Sequence, residues 1–240
     1  MKFSRLIRIY TNRTIGKNQT LTIENEDFYY LKSVMRLKKN DIFRIFNGID
    51  GEFTAAIDEI YKNRLIIKIT AQIRDVGFEK ELTLAIAIIK QERMIEAIKY
   101  AVQLGVTRII PIISERTQFK QIPYEKFNKI IINSTEQSER FKPTELTEIT
   151  SLEDLCNSTK LQQIIFANEC ESEVNKINNL KDFKEKIAIL IGPEGGFTED
   201  EIAMLKSYEH INSVSLGRNV LRTETAACAT IANIQMLRTN

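Results

Sequence analysis

The chain has 240 residues, 43% of them hydrophobic, and a formal net charge of +2 at pH 7, which suits one large domain or two smaller ones. No apolar run reaches the roughly 20 residues of a membrane span, no secretory signal is evident at the N-terminus, and the three cysteines are scattered, so we expect a cytoplasmic protein with reduced thiols and no membrane partner. Because His210 is the single histidine, a histidine-rich metal site is excluded and we expect no metal.

The charge is unevenly distributed along the chain. Residues 1–74 hold 14 Lys and Arg against 8 Asp and Glu, a net charge of +6, whereas the remainder holds 20 against 24, a net charge of −4. A basic small domain beside a mildly acidic larger one favours phosphate contact by the small domain. The same six charges could also simply solvate a surface.

The first 74 residues have the pattern of a small β-barrel domain. Short apolar runs predict strands, an amphipathic stretch predicts one helix, and Asn47-Gly48 is a turn signal. The predicted elements, in chain order, are a strand over 6–9, a helix over 27–35, and strands over 42–46, 52–60 and 65–70. Asp75-Val76-Gly77 is the predicted linker to the second domain, 75–240.

From residue 82 the pattern becomes that of an α/β domain. A continuous apolar strand, a helix with apolar residues at helical spacing and another strand form a βαβ unit, which indicates a buried parallel sheet. Predicted strands lie over 82–89, 108–113, 163–167, 187–191 and 213–216, and predicted helices over 91–104, 124–140, 151–156 and 223–237. Thr198 and Glu201 have capping-box spacing, so a further helix begins there.

Two glycine-containing corners near the C-terminus are the strongest functional signal. Gly192–Gly196 follows the strand over 187–191, and the segment from Leu216 to Leu221 follows the next strand, each leading into a helix. Ligands favour the carboxyl ends of parallel strands, so the two corners suggest one ligand site. Neither corner matches a P-loop or a Gly-x-Gly-x-x-Gly fingerprint. A tight turn with a well-capped helix and no ligand is the alternative.

The residues of these corners and of several other segments resemble the small-subunit ribosomal RNA uridine-N3 methyltransferases, which belong to the SPOUT (trefoil-knot) class. The resemblance covers nearly the whole chain. It is carried by Gly192-Pro193-Glu194-Gly195-Gly196-Phe197, Leu216-Gly217, Leu221–Ala226, Lys90–Met94, Leu104-Gly105-Val106, Ser114-Glu115-Arg116, Glu136-Gln137-Ser138 and Leu31–Arg36. Tyr29-Tyr30 departs from the family, where a histidine pair is usual.

The resemblance implies an α/β fold in which a SPOUT trefoil-knotted, parallel-sheet methyltransferase domain follows a PUA-like β-barrel domain. It implies S-adenosylmethionine as cofactor and methylation of uridine N3 in 16S ribosomal RNA or the small ribosomal subunit, by a homodimer. The expected cofactor-binding residues are Leu190, Ile191, Gly192, Glu194, Gly195, Gly196, Leu216, Gly217, Val220 and Leu221. Glu194 would bind the ribose hydroxyls or the cofactor amine.

Catalysis and RNA contact are assigned by residue type and position. Arg222 and Glu224 are the expected catalytic residues, because a cation beside the second corner can stabilise charge on the uracil oxygens; a salt bridge between the two is the alternative. The expected RNA contacts are Arg5, Arg8, Arg36, Lys38, Arg93, Arg116 and Arg140. Two other functions stay open, namely a different SPOUT activity (ribose 2′-O or guanine-N1 methylation) and a non-catalytic RNA-binding protein.

Overall fold

The computed structural model describes residues 6–238, apart from the side chain of Glu173. These residues form two compact units. The first comprises the chain through Phe78 together with Glu139–Lys142, and the second comprises Glu79–Ser138 and the chain from Pro143 onward. The predicted boundary after residue 74 therefore lies close to the observed one, but the return of 139–142 to the first unit was not foreseen.

The first unit is a curled five-stranded sheet, an open half-barrel. Its strands follow the order β1-β3-β4-β5-β2, with β1 parallel to β3 and the other pairs antiparallel. The strands are β1 (Arg8–Tyr10), β2 (Thr20–Glu24), β3 (Ile42–Phe46), β4 (Glu52–Ile60) and β5 (Arg64–Arg74). Helix α1 (Asn25–Tyr29) continues into a π-helical turn, Tyr30–Val34, where one helix was predicted.

A buried ion cluster holds the segment 139–142 in this unit. Glu52 is fully buried and accepts ion pairs from Arg8 (2.8 Å), Arg44 (3.2 Å) and Arg74 (3.1 Å). Arg44 and Arg74 also pair with Glu139, and Arg8 Nη2 donates to the Arg140 carbonyl at 2.7 Å. The helix predicted to reach Arg140 therefore ends at Gln137, because the chain turns at Glu139 (φ +61°) to enter the cluster.

The second unit is built on a parallel sheet with the order β12-β10-β11-β6-β7-β8, and β9 also pairs with β7. Its strands are β6 (Leu82–Ala87), β7 (Arg108–Ile113), β8 (Glu145–Leu146), β9 (Thr150–Ser151), β10 (Gln163–Ala167), β11 (Ile187–Ile191) and β12 (Ile211–Val214). Its helices are α2 (Gln91–Gln103), α3 (Tyr124–Gln137), α4 (Leu152–Cys156), α5 (Glu199–Ser207) and α6 (Thr223–Arg238).

Successive side chains of the central strands point to opposite faces of this sheet, and both faces are buried. Ile187, Ile189 and Ile191 of β11 pack in a core with α2, α3 and α6, while Ala188 and Leu190 pack with α4 and α5. Because both faces of these strands are covered, a ligand reaches the sheet at the strand ends. In parallel sheets, ligands bind at the carboxyl ends of the strands. Within residues 6–238, no helix is long and apolar enough to cross a membrane.

Candidate functional site

A cavity of about 250 Å³ opens where β10, β11 and β12 end. Three loops form its walls, one after each strand, and α5 and α6 close two of its sides. Apolar side chains from Ile191, Leu216, Leu221 and Ala226 line it together with a few polar groups. Such a mixture is typical of a small-molecule site.

The first predicted corner folds back on itself beneath Phe197. The Gly196 amide donates to the Pro193 carbonyl at 2.9 Å, and Gly196 takes a positive φ of +67°. Phe197 lies over Gly192, since a Cβ built there would come within 2.8 Å of its ring, and its edge meets Phe166 with a centroid distance of 5.3 Å. Position 192 therefore favours glycine because a side chain there would clash with Phe197. Position 196 favours glycine because its backbone has a positive φ.

Arg116 holds this corner from the neighbouring β7 loop. Its Nη1 donates to the carbonyls of Gly195 (2.8 Å) and Phe197 (3.4 Å), and its aliphatic part lies beside Gly195. Arg116 is one of the predicted RNA contacts; in the structure its guanidinium is bonded to the first corner and the residue lines the cavity.

Helix α5 fixes the far end of the same corner. Thr198 and Glu201 form the predicted capping box, with Thr198 N donating to Glu201 at 2.9 Å and Glu201 N donating to Thr198 Oγ1 at 3.2 Å. Glu201 also accepts from the Glu115 amide at 2.8 Å. The β7 loop thus braces the corner at both ends.

The second corner is tied to the first by one hydrogen bond. Thr223 Oγ1, at the start of α6, donates to the Gly192 carbonyl at 3.1 Å. Gly217 takes a φ of +114°, and its amide donates to Ser215 Oγ at 3.2 Å. This contact sets the two loops on adjacent walls of one cavity, as the sequence pattern suggested.

The third wall follows β10 and was missed by the sequence reasoning. Asn168, Glu169 and Cys170 line the cavity, with Asn168 Nδ2 donating to Ser213 Oγ at 3.1 Å. This segment carries neither a glycine nor a recognisable motif. The usable signal was its place directly after a buried strand that neighbours β11 in a parallel sheet.

The predicted cofactor residues divide between the cavity wall and its surroundings. Six of them line the cavity, namely Ile191, Gly192, Gly196, Leu216, Gly217 and Leu221. The other four do not: Leu190 is buried in the core, Gly195 bonds Arg116 through its carbonyl, Val220 is 79% exposed, and Glu194 pairs with Arg93 at 3.3 Å. Asn219, Thr223 and Ala226 are further lining residues that the sequence reasoning did not name.

Two of the predicted RNA contacts are buried. Arg8 is 5% exposed, paired with Glu52 and stacked 3.5 Å above Phe46, and burial lowers the pKa of its guanidinium against the opposing effect of Glu52. Arg140 is 8% exposed within the same cluster. Such burial does not favour phosphate contact by either side chain. Arg36 and Lys38 are exposed, while Arg5 lies outside the described residues.

The two predicted catalytic residues flank the start of α6 in different surroundings. Arg222 is exposed, and among residues 6–238 it forms no ion pair, so the alternative of a salt bridge with Glu224 is not realised. Glu224 is 6% exposed in the first turn of α6, and its Oε2 has no hydrogen-bond partner within the described chain. Neither side chain is engaged in holding the loop.

Models of two known protein domains match this chain. The RNA methyltransferase domain model matches residues 77–235, and the RNA methyltransferase PUA domain model matches residues 23–70. A ribosomal RNA small subunit methyltransferase E from Rickettsia conorii is 41% identical over 99% of this chain and 97% of its own, and one from Buchnera aphidicola (Schizaphis graminum) is 32% identical over 97% and 96%.

Solved structures agree with the sequence relatives. Ribosomal RNA small subunit methyltransferase E from Neisseria gonorrhoeae, bound to S-adenosyl methionine, superposes with a TM-score of 0.86 at 27% identity, covering 97% of this chain and 98% of that one. A Legionella pneumophila protein with bound cofactor SAM gives 0.87 at 30% identity, covering 97% and 98%. The chain therefore belongs to the ribosomal RNA small subunit methyltransferase E family.

Proposed function

We propose that this chain methylates N3 of a uridine in 16S ribosomal RNA with S-adenosylmethionine as methyl donor. The observation that carries the proposal is the cavity at the ends of β10, β11 and β12, walled by both corners that the family motifs predicted. Because 41% identity extends over the full length of a methyltransferase E, the site and the RNA-binding module occur together as in that relative.

The residues of the cavity fit the proposed cofactor. Ile191, Leu216 and Leu221 offer apolar walls for a purine, and Gly196 and Gly217 bring backbone to the cavity without side chains in the way. When bound, S-adenosylmethionine would supply a methyl group on a positively charged sulfur. The sulfur would leave as a neutral thioether, without the help of a metal.

Arg222 and Glu224, next in sequence to the cavity-lining residues Leu221 and Thr223, are the proposed catalytic residues. Uracil N3 must lose its proton to attack, and the negative charge then spreads to the ring oxygens. The exposed, unpaired Arg222 guanidinium directly after Leu221 can stabilise that charge. Glu224 is the proposed proton acceptor, because its unpartnered Oε2 can take up a proton without breaking an existing hydrogen bond.

The first unit is proposed to bind the RNA backbone. The stretch 28–40 holds four Lys and Arg residues and no acidic residue, and none of the four forms an ion pair in the described part of the chain. They are Lys32, Arg36, Lys38 and Lys39. Tyr29, 63% exposed, lies beside them and offers a face on which an unpaired base can stack.

A homodimer is proposed from the exposed apolar surface of the second unit. Val220 is 79%, Met236 72% and Tyr100 43% exposed, and α6 carries the half-buried small residues Ala229 and Ala232. A second copy would cover this surface. Sedimentation equilibrium should give twice the mass of 27.7 kDa; a monomer at micromolar concentration would contradict the proposal.

The proposed reaction is tested with purified protein, labelled S-adenosylmethionine and small ribosomal subunits. Digestion of the RNA to nucleosides and mass analysis should show 3-methyluridine. Methylated ribose or 1-methylguanosine would indicate another SPOUT activity, and RNA binding without methyl transfer would indicate a non-catalytic protein.

A further inference from the structure

Glu169 is a carboxylate in the cavity that has no structural task. It lies two residues beyond the end of β10, its side chain is exposed, and within residues 6–238 it forms neither a hydrogen bond nor an ion pair. Two carboxylates close to the cavity are already engaged. Glu194 pairs with Arg93, and Glu201 closes the capping box. Glu199 stands in the first turn of α5, where the helix dipole favours a negative charge.

The position of Glu169 over the first corner is specific. A Cβ built on Gly196 would meet Glu169 Oε1 at 2.8 Å, so the carboxylate occupies the space that the glycine leaves open. On the adjacent residue, a Cβ built on Gly195 would meet Arg116 Cδ at 3.6 Å. The acidic side chain of Glu169 and the basic side chain of Arg116 therefore lie beside consecutive glycines of one loop, and the two do not form an ion pair with each other.

Arg116 keeps hydrogen-bonding capacity in this arrangement. The hydrogen bonds it donates to the loop carbonyls come from Nη1. A guanidinium has five N–H donors, so the rest of its fork is available to a ligand that enters the cavity. The cavity lining thus includes one acceptor-only group, Glu169, and one donor-only group, Arg116.

We propose that Glu169 binds the α-ammonium group of the methionine end of S-adenosylmethionine, with Arg116 as the partner of the adjacent carboxylate. An amino-acid zwitterion carries an ammonium and a carboxylate a few ångströms apart, and each is opposite in charge to one of these two side chains. This assignment rests on the proposed function. It gives to Glu169 the amine contact that the sequence pattern suggested for Glu194.

Isothermal titration of the full chain with three ligands tests the assignment. S-Adenosylmethionine has both charges, decarboxylated S-adenosylmethionine keeps only the ammonium, and 5′-methylthioadenosine lacks the amino-acid end but keeps the nucleoside. The Glu169→Gln variant should lose roughly tenfold or more in affinity for the first two ligands, the scale of one charged hydrogen bond, and bind 5′-methylthioadenosine within about twofold of the parent.

A matched variant, Glu209→Gln, controls for loss of one surface charge. Glu209 is also exposed but does not line the cavity, so all three affinities should match those of the parent. An equal loss for 5′-methylthioadenosine in Glu169→Gln would assign Glu169 to the nucleoside or to loop structure and overturn the inference, as would unchanged affinity for S-adenosylmethionine. If the parent chain binds none of the ligands, the proposed function itself is wrong.

Discussion

At the scale of single residues, Arg222 carries the sharpest prediction. Its guanidinium is exposed and free of ion pairs in the described chain, so replacing it should leave the loop intact. Arg222→Ala should lower the single-turnover methylation rate by roughly 10²–10³, the scale of one lost electrostatic donor, with cofactor affinity nearly unchanged. Single-turnover kinetics at saturating RNA and cofactor measure it; a preserved rate with weaker RNA binding would make Arg222 an RNA clamp only.

The paired glycines offer a second residue-scale prediction with its own control. Gly196 has a positive φ and a carboxylate oxygen 2.8 Å from a built Cβ, whereas Gly195 has an ordinary φ and only van der Waals contact at 3.6 Å. Gly196→Ala should therefore destabilise the fold by about 1–2 kcal/mol and weaken cofactor binding. Gly195→Ala should be close to neutral.

Urea unfolding and cofactor titration of the two glycine variants compare the positions directly. Equal effects at Gly195 and Gly196 would contradict the observed loop conformation. The sequence alone could not separate these neighbours, because the dipeptide permits a positive φ at either one.

Other residue roles were beyond the sequence for a related reason. Arg8 and Arg140 carry the same charge as Arg36, and only the fold reveals that Arg8 pairs with the buried Glu52 and that Arg140 is itself buried. Glu169 was invisible to motif reasoning because it stands alone after β10, without a glycine or a capping pattern around it.

At the scale of elements, the loop after β10 makes a prediction about pH. Glu171 accepts from Lys206 at 2.8 Å and from Asn175 at 3.0 Å, linking this loop to α5. The hydrogen bond from Lys206 is the main cause that lowers the pKa of Glu171 from 4.5 to about 2. Since the folded pKa is depressed, the stabilisation is complete above about pH 4.5 and is lost as the pH falls toward 2.

Chemical unfolding of the parent and Glu171→Gln at about pH 6 and about pH 3 tests this linkage. The difference in unfolding free energy between the two proteins should shrink at the lower pH. At about pH 3 the Glu171 carboxyl is protonated in the unfolded parent, so the parent must release that proton to regain the ionised form when it folds. A difference that stays constant with pH would show that the Glu171 carboxylate does not act through its charge.

The elements themselves were predictable where one pattern dominated. The bounds of β3, β4, β7, β10 and β11 match the predicted strands. In β11 the reason is that a strand buried on both faces is apolar along its whole length. The two-residue strands β8 and β9 are too short to show a period. Strand β12 begins two residues earlier than expected, because Asn212 and Ser213 interrupt its apolar run.

At the scale of the whole molecule, charge placement predicts how RNA binds. The net +6 of residues 1–74 includes Arg8, Arg44 and Arg74, which neutralise Glu52 and Glu139, so we expect the cations of 28–40 to supply the attraction for RNA. Replacing both Arg36 and Lys38 by Gln should weaken RNA binding and lower the slope of log affinity against log salt by roughly 1–2. Lys62→Gln, in the exposed hairpin between β4 and β5, is the control.

Binding isotherms at several salt concentrations measure these slopes. An unchanged slope in the double variant would move the RNA surface elsewhere. Cutting the chain near residue 77 is a poorer test, because Glu139–Lys142 would lose the ion cluster that holds it. The sequence showed the excess of positive charge in the first domain. It did not show that residues 139–142 return to the first unit, since four residues after a helix carry no periodic signal.

The central claim is methylation of uridine N3 in 16S ribosomal RNA, and complementation tests it most directly. In a bacterial strain that lacks its own enzyme of this family, mass mapping of 16S ribosomal RNA should find 3-methyluridine restored at one position when this chain is expressed. The Arg222→Ala variant, expressed to the same level, should restore little. If the parent chain leaves that RNA unmethylated, or places the methyl group on another atom, the account of its function is wrong.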